Sequence, residues 1–419
     1  MNLHLKSAKL IEAGHPQNGE KVDILITSGK ISSIKKNIET PDGYEVYEHE
    51  DLHVSSGWFD SSVSFGEPGY EERETLNNGL RTAALSGFTA VAVNPETNPV
   101  TDHNAAVNFL KSHSGLHGVS LYPVGALTMK SEAIDLAELF DMKNAGAVAF
   151  GDYKVPVSNA NLLKIALQYA LGFDALVMSF PHDLSIAGKG VVNEDASSTR
   201  LGLKGIPALA EELRISRDLF ILDYTGGKLH IPTITTARSV QLIRDAKKQG
   251  LNVSCSAAVH HLFHTDTKLE EFDTRYKVLP PLRNEDDRKA LIEGVKDGTI
   301  DFITSDHRPI DIENKKVEFD HALYGTVGLE SAFGALNTLL PAETCVAKLT
   351  AGRERFTGNS LSIQEGNEAD LTLFETKSEY TFDKDHILSS SLNSAFLGES
   401  LKGRALGIIA NQKFTAYDR

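Results

Sequence analysis

Residues 58–69 read WFDSSVSFGEPG. The first six form a short apolar-rich run that a Glu-Pro-Gly turn soon stops, and the segment from Glu71, EERETLNNGLRTAALS, then places apolar residues at helical spacing. A strand closed by a turn and followed by an amphipathic helix is the repeating unit of an α/β domain. Ser62 and Ser64 alternate toward one face of that strand. Two histidines at those positions would suit a metal site; two neutral hydroxyls do not.

Between about Gly57 and Gly352 the unit recurs. Strands are expected at WFDSSV, FTAVAV, VSLYPV, GAVAF, DALVMS, KLHIPT, LNVSCSAAV and IDFITSD. Helices are expected at EERETLNNGLRTAALS, SEAIDLAELFDMKN, SNANLLKIALQYALG, IPALAEELRISRDLF, TARSVQLIRDAKKQG and NEDDRKALIEGVKDG. Asn284, ahead of Glu285 and Asp286, suits a helix N-terminus, and Gly250 suits a helix stop. Eight strands are what a closed (β/α)8 TIM barrel needs, with an open doubly wound sheet as the alternative.

The chain ends read differently. VDILITSGKISSIKK alternates around Ser28-Gly29 as a hairpin, and ADLTLFE from Ala369 and RALGIIANQKFTAY from Arg404 carry the same strand-turn grammar. Neither end has residues enough for a core of its own. The expectation is one composite small β domain, a β-sandwich of residues 1–54 and 365–419, beside a barrel of residues 55–364. A formal charge of −15 argues against a nucleic-acid surface. The two cysteines, Cys255 and Cys345, lie in apolar segments, which suits a reducing, cytoplasmic setting. The opening MNLHLKSAKLIEAG reads as neither signal peptide nor membrane span.

Functional groups of a barrel sit where strands finish. Read in order, the strand ends offer Ser62 and Ser64, Glu96, Asp152 and Tyr153, Phe180 with His182, Thr233, Ser256 and His260, and Asp306 with His307. The series supplies hydroxyls and a few carboxylates, not the dense imidazole and carboxylate set of a catalytic zinc or binuclear centre.

The segment from Gly57 through PETNPVTD, together with VVNEDASSTRLGLKGIPALAEE, YKVLPPLRNEDDRKALIEGVKDGTIDFITSDHRP, ALYGTVGLESAFG and SLNSAFLGESLKG, resembles the long bacterial type I dihydroorotases of the cyclic amidohydrolase superfamily. The resemblance covers nearly the whole chain. It implies a metal-activated water that opens or closes the cyclic amide of dihydroorotate in pyrimidine synthesis. It also implies positions for the machinery. The metal-binding His-x-His pair of the first strand falls on Ser62 and Ser64, and the arginine that grips the substrate carboxylate falls on Gly66. A substrate asparagine falls on Glu96, and the bridging carboxylate falls on Asp152 or Tyr153. The metal histidines after strands five and six fall on Phe180 and Thr233. The asparagine before Pro-Pro-Leu-Arg falls on Leu279, and the second histidine of the strand-eight motif falls on Ile310. Asp306 alone stands clearly where the family keeps its general acid/base and metal ligand.

The expectation is therefore a paralogue with a degenerate site, a pseudoenzyme that holds no metal or other cofactor where the family uses zinc. It would serve as a scaffold or regulatory subunit, with an aspartate carbamoyltransferase as the implied partner and a homodimer as the implied assembly. Two alternatives stand beside it: an active dihydroorotase or related cyclic amidohydrolase with a rebuilt site, and a metal-free small-molecule binder. Asp152, His182 and His307 are candidates for a residual polar site, and Asp152, His182 and Asp306 for a new metal site. The plainer readings give His307 a backbone partner, His260 and His261 a packing role, and His230 a place as a satisfied core histidine.

Overall fold

The computed structural model describes residues 1–417; residues 418 and 419, the end of the expected 365–419 segment, lie outside the described residues. Eight parallel strands follow one another in chain order: β1 (Trp58–Val63), β2 (Phe88–Val93), β3 (Ser120–Gly125), β4 (Ala149–Phe150), β5 (Leu176–Met178), β6 (Lys228–Ile231), β7 (Val253–Ala258) and β8 (Phe302–Thr304). The last meets the first through a parallel bridge between Val63 and His307, and the Ser64 N–H donates to the His307 carbonyl at 2.8 Å. Asp60 fastens this seam. Its buried carboxylate accepts the Ser305 N–H at 2.8 Å and the Thr304 hydroxyl. The eight expected strands thus form a (β/α)8 barrel rather than an open sheet.

The barrel is packed through its lumen. Phe59, Ala92, Val124, Leu176 and Phe302 fill the lumen, and Phe356, from the helix Gly352–Thr357, packs on Phe59 and Phe302 with ring centroids 5.5 and 6.0 Å apart. His230 belongs to this layer: it stacks on Phe302 and bonds the hydroxyls of Ser254 and Ser256, as the plainer reading expects. In such barrels functional groups sit at the strand C-termini.

Capping side chains set several helix starts where the sequence places them. Thr75 accepts from the Asn78 N–H ahead of the helix Leu76–Leu85, and Asn284 accepts from the Asp287 N–H ahead of Glu285–Lys296. Gly250, at φ 85°, follows the helix Ala237–Lys248. The expected helix SEAIDLAELFDMKN is shorter than its periodicity suggests. Only Leu139–Ala145 is α-helical, because Ser131 and Ala133 adopt left-handed φ and Thr128 pairs with Leu136 as a bridge.

The two chain ends meet in one mixed sheet of eight strands. Lys21–Thr27 and Lys30–Lys35 form the expected hairpin, while Leu371–Thr381 lies between His53–Ser56 and Ser400–Ala410. This sheet is bonded to the barrel. The Thr372 hydroxyl donates to the Gly87 carbonyl at 2.7 Å, and Trp58 of β1 stacks on Phe333 and contacts Phe374. Both cysteines are free and buried. Among the described residues no helix is long and apolar enough to cross a membrane.

Candidate functional site

At the strand C-termini Asp306 is the hub. It sits at φ 47°, a left-handed conformation that Asp tolerates better than most residues, and its side chain is 1% exposed. Three side chains converge on it. The Ser62 hydroxyl donates to Oδ1 at 3.1 Å, the Tyr153 hydroxyl donates to Oδ1 at 3.0 Å, and the Lys154 ammonium donates to Oδ2 at 2.8 Å. Asn94 supports this group from just past the end of β2: its Nδ2 donates to both Ser62 and Ser64 at 3.1 Å, so the two serines do share one face.

A second ion pair roofs the first. Arg308 grips Glu96 with two guanidinium nitrogens, Nε at 2.8 Å from Oε2 and Nη2 on Oε1, and its Nη1 holds the Tyr324 carbonyl. Both cations lie near the Tyr153 ring, Lys154 Nζ at 5.0 Å and the Arg308 guanidinium at 5.7 Å from its centroid. Burial lowers the Lys154 pKa while Asp306 raises it, leaving it below the ordinary lysine value. Burial, then the Asp306 charge, pushes the Tyr153 hydroxyl well above its usual range, so it stays a neutral donor. Burial acts against the charge of Arg308, and Glu96 more than offsets it. Two carboxylates face two cations, and the charge at the barrel mouth closes on itself.

The space left is small. Ser62, Asn94, Tyr153, Lys154, Phe180 and Thr233 are among the residues lining a cavity of about 20 Å³ beside Asp306. One water molecule needs roughly 10–15 Å³ on this measure, and pockets that hold small molecules run to about 300 Å³ or more. Phe180 presents a ring where a ligand would be needed, and it lies tilted against His182 with ring centroids 5.8 Å apart. Thr233 also has left-handed φ, at 48°, which for a β-branched residue marks a strained strand end.

Asp152 and Tyr153 both line this cavity but take different partners. Asp152 accepts the Thr128 N–H at 3.0 Å and the Thr128 hydroxyl at 2.5 Å, whereas Tyr153 reaches Asp306. The residual polar site of Asp152, His182 and His307 does not form. Asp152 is committed to Thr128, His182 packs on Phe180 with its pKa lowered to about 4 by burial, and His307 Nδ1 accepts the backbone N–H groups of Gly328 and Leu329. The metal set of Asp152, His182 and Asp306 fails for the same reason. Among the described residues no three His, Cys, Asp or Glu side chains come together as metal ligands.

The remaining substrate positions are filled by structure. A Cβ on Gly66 would lie 1.8 Å from the Tyr70 carbonyl oxygen, so no arginine fits there without moving the loop. Leu279 packs against Ala187, Ile206 and Ala210, and Ile310 is buried. His261 bonds the Pro280 carbonyl at 2.9 Å and lies 4.3 Å, ring to ring, from His260, in keeping with the packing role expected of the pair. A zinc ion does not fit this donor set. Hydroxyls, a phenyl ring and a threonine occupy the imidazole positions, and an ammonium is already seated on the carboxylate that remains. Sequence reading missed Lys154, Asn94 and Arg308. Each adjoins a singled-out residue or faces one across a strand, but which charge answers which is set by the fold.

Residues 53–239 match a family of dihydro-orotase-like proteins. The dihydroorotase of Pelotomaculum thermopropionicum is 40% identical over 427 residues, covering 100% of this chain and 99% of that protein. The dihydroorotase of Geobacter metallireducens is 37% identical, with 99% of each covered. Among solved structures, the L-hydantoinase (dihydropyrimidinase) of Arthrobacter aurescens superposes with a TM-score of 0.85 at 21% identity, covering 99% of this chain and 96% of that one. A D-hydantoinase gives 0.83 at 19% identity, covering 100% and 96%. At that identity the hydantoinases speak for the fold alone.

Proposed function

The chain belongs to the dihydroorotase family, and within it we propose a catalytically silent member whose barrel persists as a scaffold or regulatory subunit. The Lys154–Asp306 ion pair carries the reading. In the family Asp306 would ligate metal and move a proton to and from the activated water. Here its two oxygens are occupied by an ammonium, a phenol and a serine hydroxyl. An ammonium neutralises the carboxylate but cannot polarise a carbonyl or lower the pKa of a bound water as a Lewis acid does. Substrate grip is absent as well: the arginine position is Gly66, and Glu96 with Arg308 makes an internal pair instead of meeting an anion. A cavity of about 20 Å³ also leaves no room for a heterocycle, which disfavours the small-molecule binder.

The scaffold half of the reading is supported by what is kept. The eight strands, the packed lumen and the terminal sheet are intact, while the departures gather at the strand ends. The implied partner remains an aspartate carbamoyltransferase. The test is turnover of dihydroorotate, in both directions, by zinc-supplied protein made in a host lacking its own dihydroorotase. No rate above background is expected. Turnover that disappears in Asp306→Asn would overturn the silent reading. Co-expression with the same organism's aspartate carbamoyltransferase should give one co-eluting complex; separate elution with unchanged transferase activity would remove the scaffold half.

A further inference from the structure

A second cavity, of about 250 Å³, lies between the helix Leu329–Leu339 and the terminal sheet, and it shares no lining residue with the one beside Asp306. It is well over the roughly 10–15 Å³ that one water needs and just below the ~300 Å³ at which sites for drug-sized molecules begin. Phe333 of that helix, Tyr380 and Phe382 at and just past the end of the strand Leu371–Thr381, and Tyr417 near the chain end give it aromatic walls.

Two polar groups of this lining lack a partner. Among the described residues, Glu330 Oε2 and Ser86 Oγ are buried without a hydrogen bond. The Glu330 side chain is 2% exposed. Its other oxygen, Oε1, accepts the Leu388 and Ser389 N–H groups at 3.2 and 3.0 Å and the Ser389 hydroxyl at 2.6 Å, which fixes the carboxylate in place. His307 cannot answer Oε2. Its Nδ1 lies 3.9 Å away and already accepts the Gly328 and Leu329 N–H groups, so it carries no proton to give. The cations at the rim have carboxylates of their own: Arg404 Nε lies 3.7 Å from Glu375, and His386 Nδ1 lies 2.8 Å from Asp383. Asp385, also on the lining, is exposed to water. The Glu330 charge is felt within the cavity, where after burial it is the largest cause that pushes the Tyr417 hydroxyl up to about 12.

We propose that this cavity binds a small organic amine as its ammonium ion, with the N–H groups directed at Glu330 and an apolar stem among the aromatic rings. The chemistry selects that class. A buried carboxylate oxygen without a donor is costly, and a charged donor makes the stronger bond to it. Aromatic faces attract a cation and cover its carbon stem. An anion would be repelled by Glu330, and a hydrocarbon would leave Oε2 and Ser86 Oγ unpaired. A metal ion would find too few ligands, since among the described residues no three His, Cys, Asp or Glu side chains come together. The site does not depend on whether the barrel mouth turns over substrate.

The experiment is a ligand-observed NMR titration of the full chain with benzylammonium, its neutral counterpart benzyl alcohol, and benzyltrimethylammonium, which keeps the charge but has no N–H. Benzylammonium should bind at least about tenfold more tightly than the other two, because it alone makes a charge-assisted hydrogen bond. Glu330→Gln keeps an oxygen for the Leu388 and Ser389 N–H groups and should remove that preference with circular dichroism unchanged. Tyr417→Ala, at a position 44% exposed near the chain end, should weaken benzylammonium roughly threefold and keeps the test decisive if Glu330→Gln does not fold. Absence of saturable benzylammonium binding at millimolar concentration would overturn the proposal, as would equal binding of the alcohol or the quaternary ion. So would a preference that survives Glu330→Gln, or binding unchanged in Tyr417→Ala, which would place the amine elsewhere on the chain.

Discussion

A lysine ammonium and a zinc ion can each neutralise a buried carboxylate, but only the ion can also hold and acidify a water. That difference separates Asp306 here from a catalytic aspartate. It also makes Lys154 a stability residue. Removing one member of a buried pair leaves the other charged and unpaired, at a cost of about 3–5 kcal/mol. Lys154→Met is expected to lower unfolding free energy in urea by that order, and adding Asp306→Asn, which keeps a residue suited to left-handed φ, should restore most of it. If Lys154→Met alone proves neutral, the ammonium is not the partner that satisfies Asp306. Of this site, the losses were legible and the replacements were not. Ser62, Ser64, Phe180 and Thr233 stand where the resemblance to dihydroorotases implies imidazoles, whereas Lys154 gains its meaning from a 2.8 Å contact across 152 residues of chain. Glu96 was likewise readable as a carboxylate but not as the partner of Arg308.

Single elements show why the family's machinery cannot be put back piece by piece. The Glu-Pro-Gly loop has closed over Gly66: its N–H bonds the Glu74 carbonyl at 3.0 Å, and its carbonyl accepts the Tyr70 N–H at 2.8 Å. Gly66→Ala should already cost roughly 1–3 kcal/mol through overpacking, and Gly66→Arg should cost more, both read from urea midpoints. Wild-type stability in Gly66→Arg would mean that the loop opens freely and a substrate arginine could be regained. The terminal sheet makes a second expectation. Ser400–Ala410 covers Leu371–Thr381, so deletion from residue 399 onward should expose an apolar edge and yield aggregated protein, as scored by soluble yield. Soluble, monodisperse truncated protein would show the C-terminal strands to be dispensable. Strand existence was legible because short apolar runs bounded by turns leave few other readings. The helix at SEAIDLAELF was over-read because Ile134 repeats at helical spacing yet is 66% exposed, its neighbours Ser131 and Ala133 having left the helical conformation.

Among the described residues, burial lowers the pKa of eight histidines, His53 and His117 among them, and six carry the larger effect. The pKa is lowered to about 4 for His182, His261 and His307, to about 3 for His230 and His264, and well below the usual value for His260, burial being the first cause in each. Below about pH 6.5 the unfolded chain protonates these rings and the folded chain does not, so stability falls with falling pH, by up to about 1.4 kcal/mol per unit for each ring. Asp60, Glu211, Asp218 and Glu330, raised by burial, act in the opposite sense. The histidine shifts span more than two units, and the urea midpoint should be lower at about pH 5.5 than at about pH 7.5. A flat or rising midpoint toward acid would contradict the burial of these rings.

At this scale the barrel and its resemblance to dihydroorotases were legible from motifs in order along the chain, and the sealed, charge-balanced mouth was not, because it depends on which side chains meet. The claim at the centre is that the Lys154 ammonium stands on Asp306 in place of a metal. Zinc content of the full chain, expressed with added zinc and desalted, tests it most directly by elemental analysis. Far less than one zinc per chain is expected, with no gain in Ser62→His/Ser64→His. One or more tightly held zinc ions per wild-type chain, lost in Asp306→Asn, would contradict it.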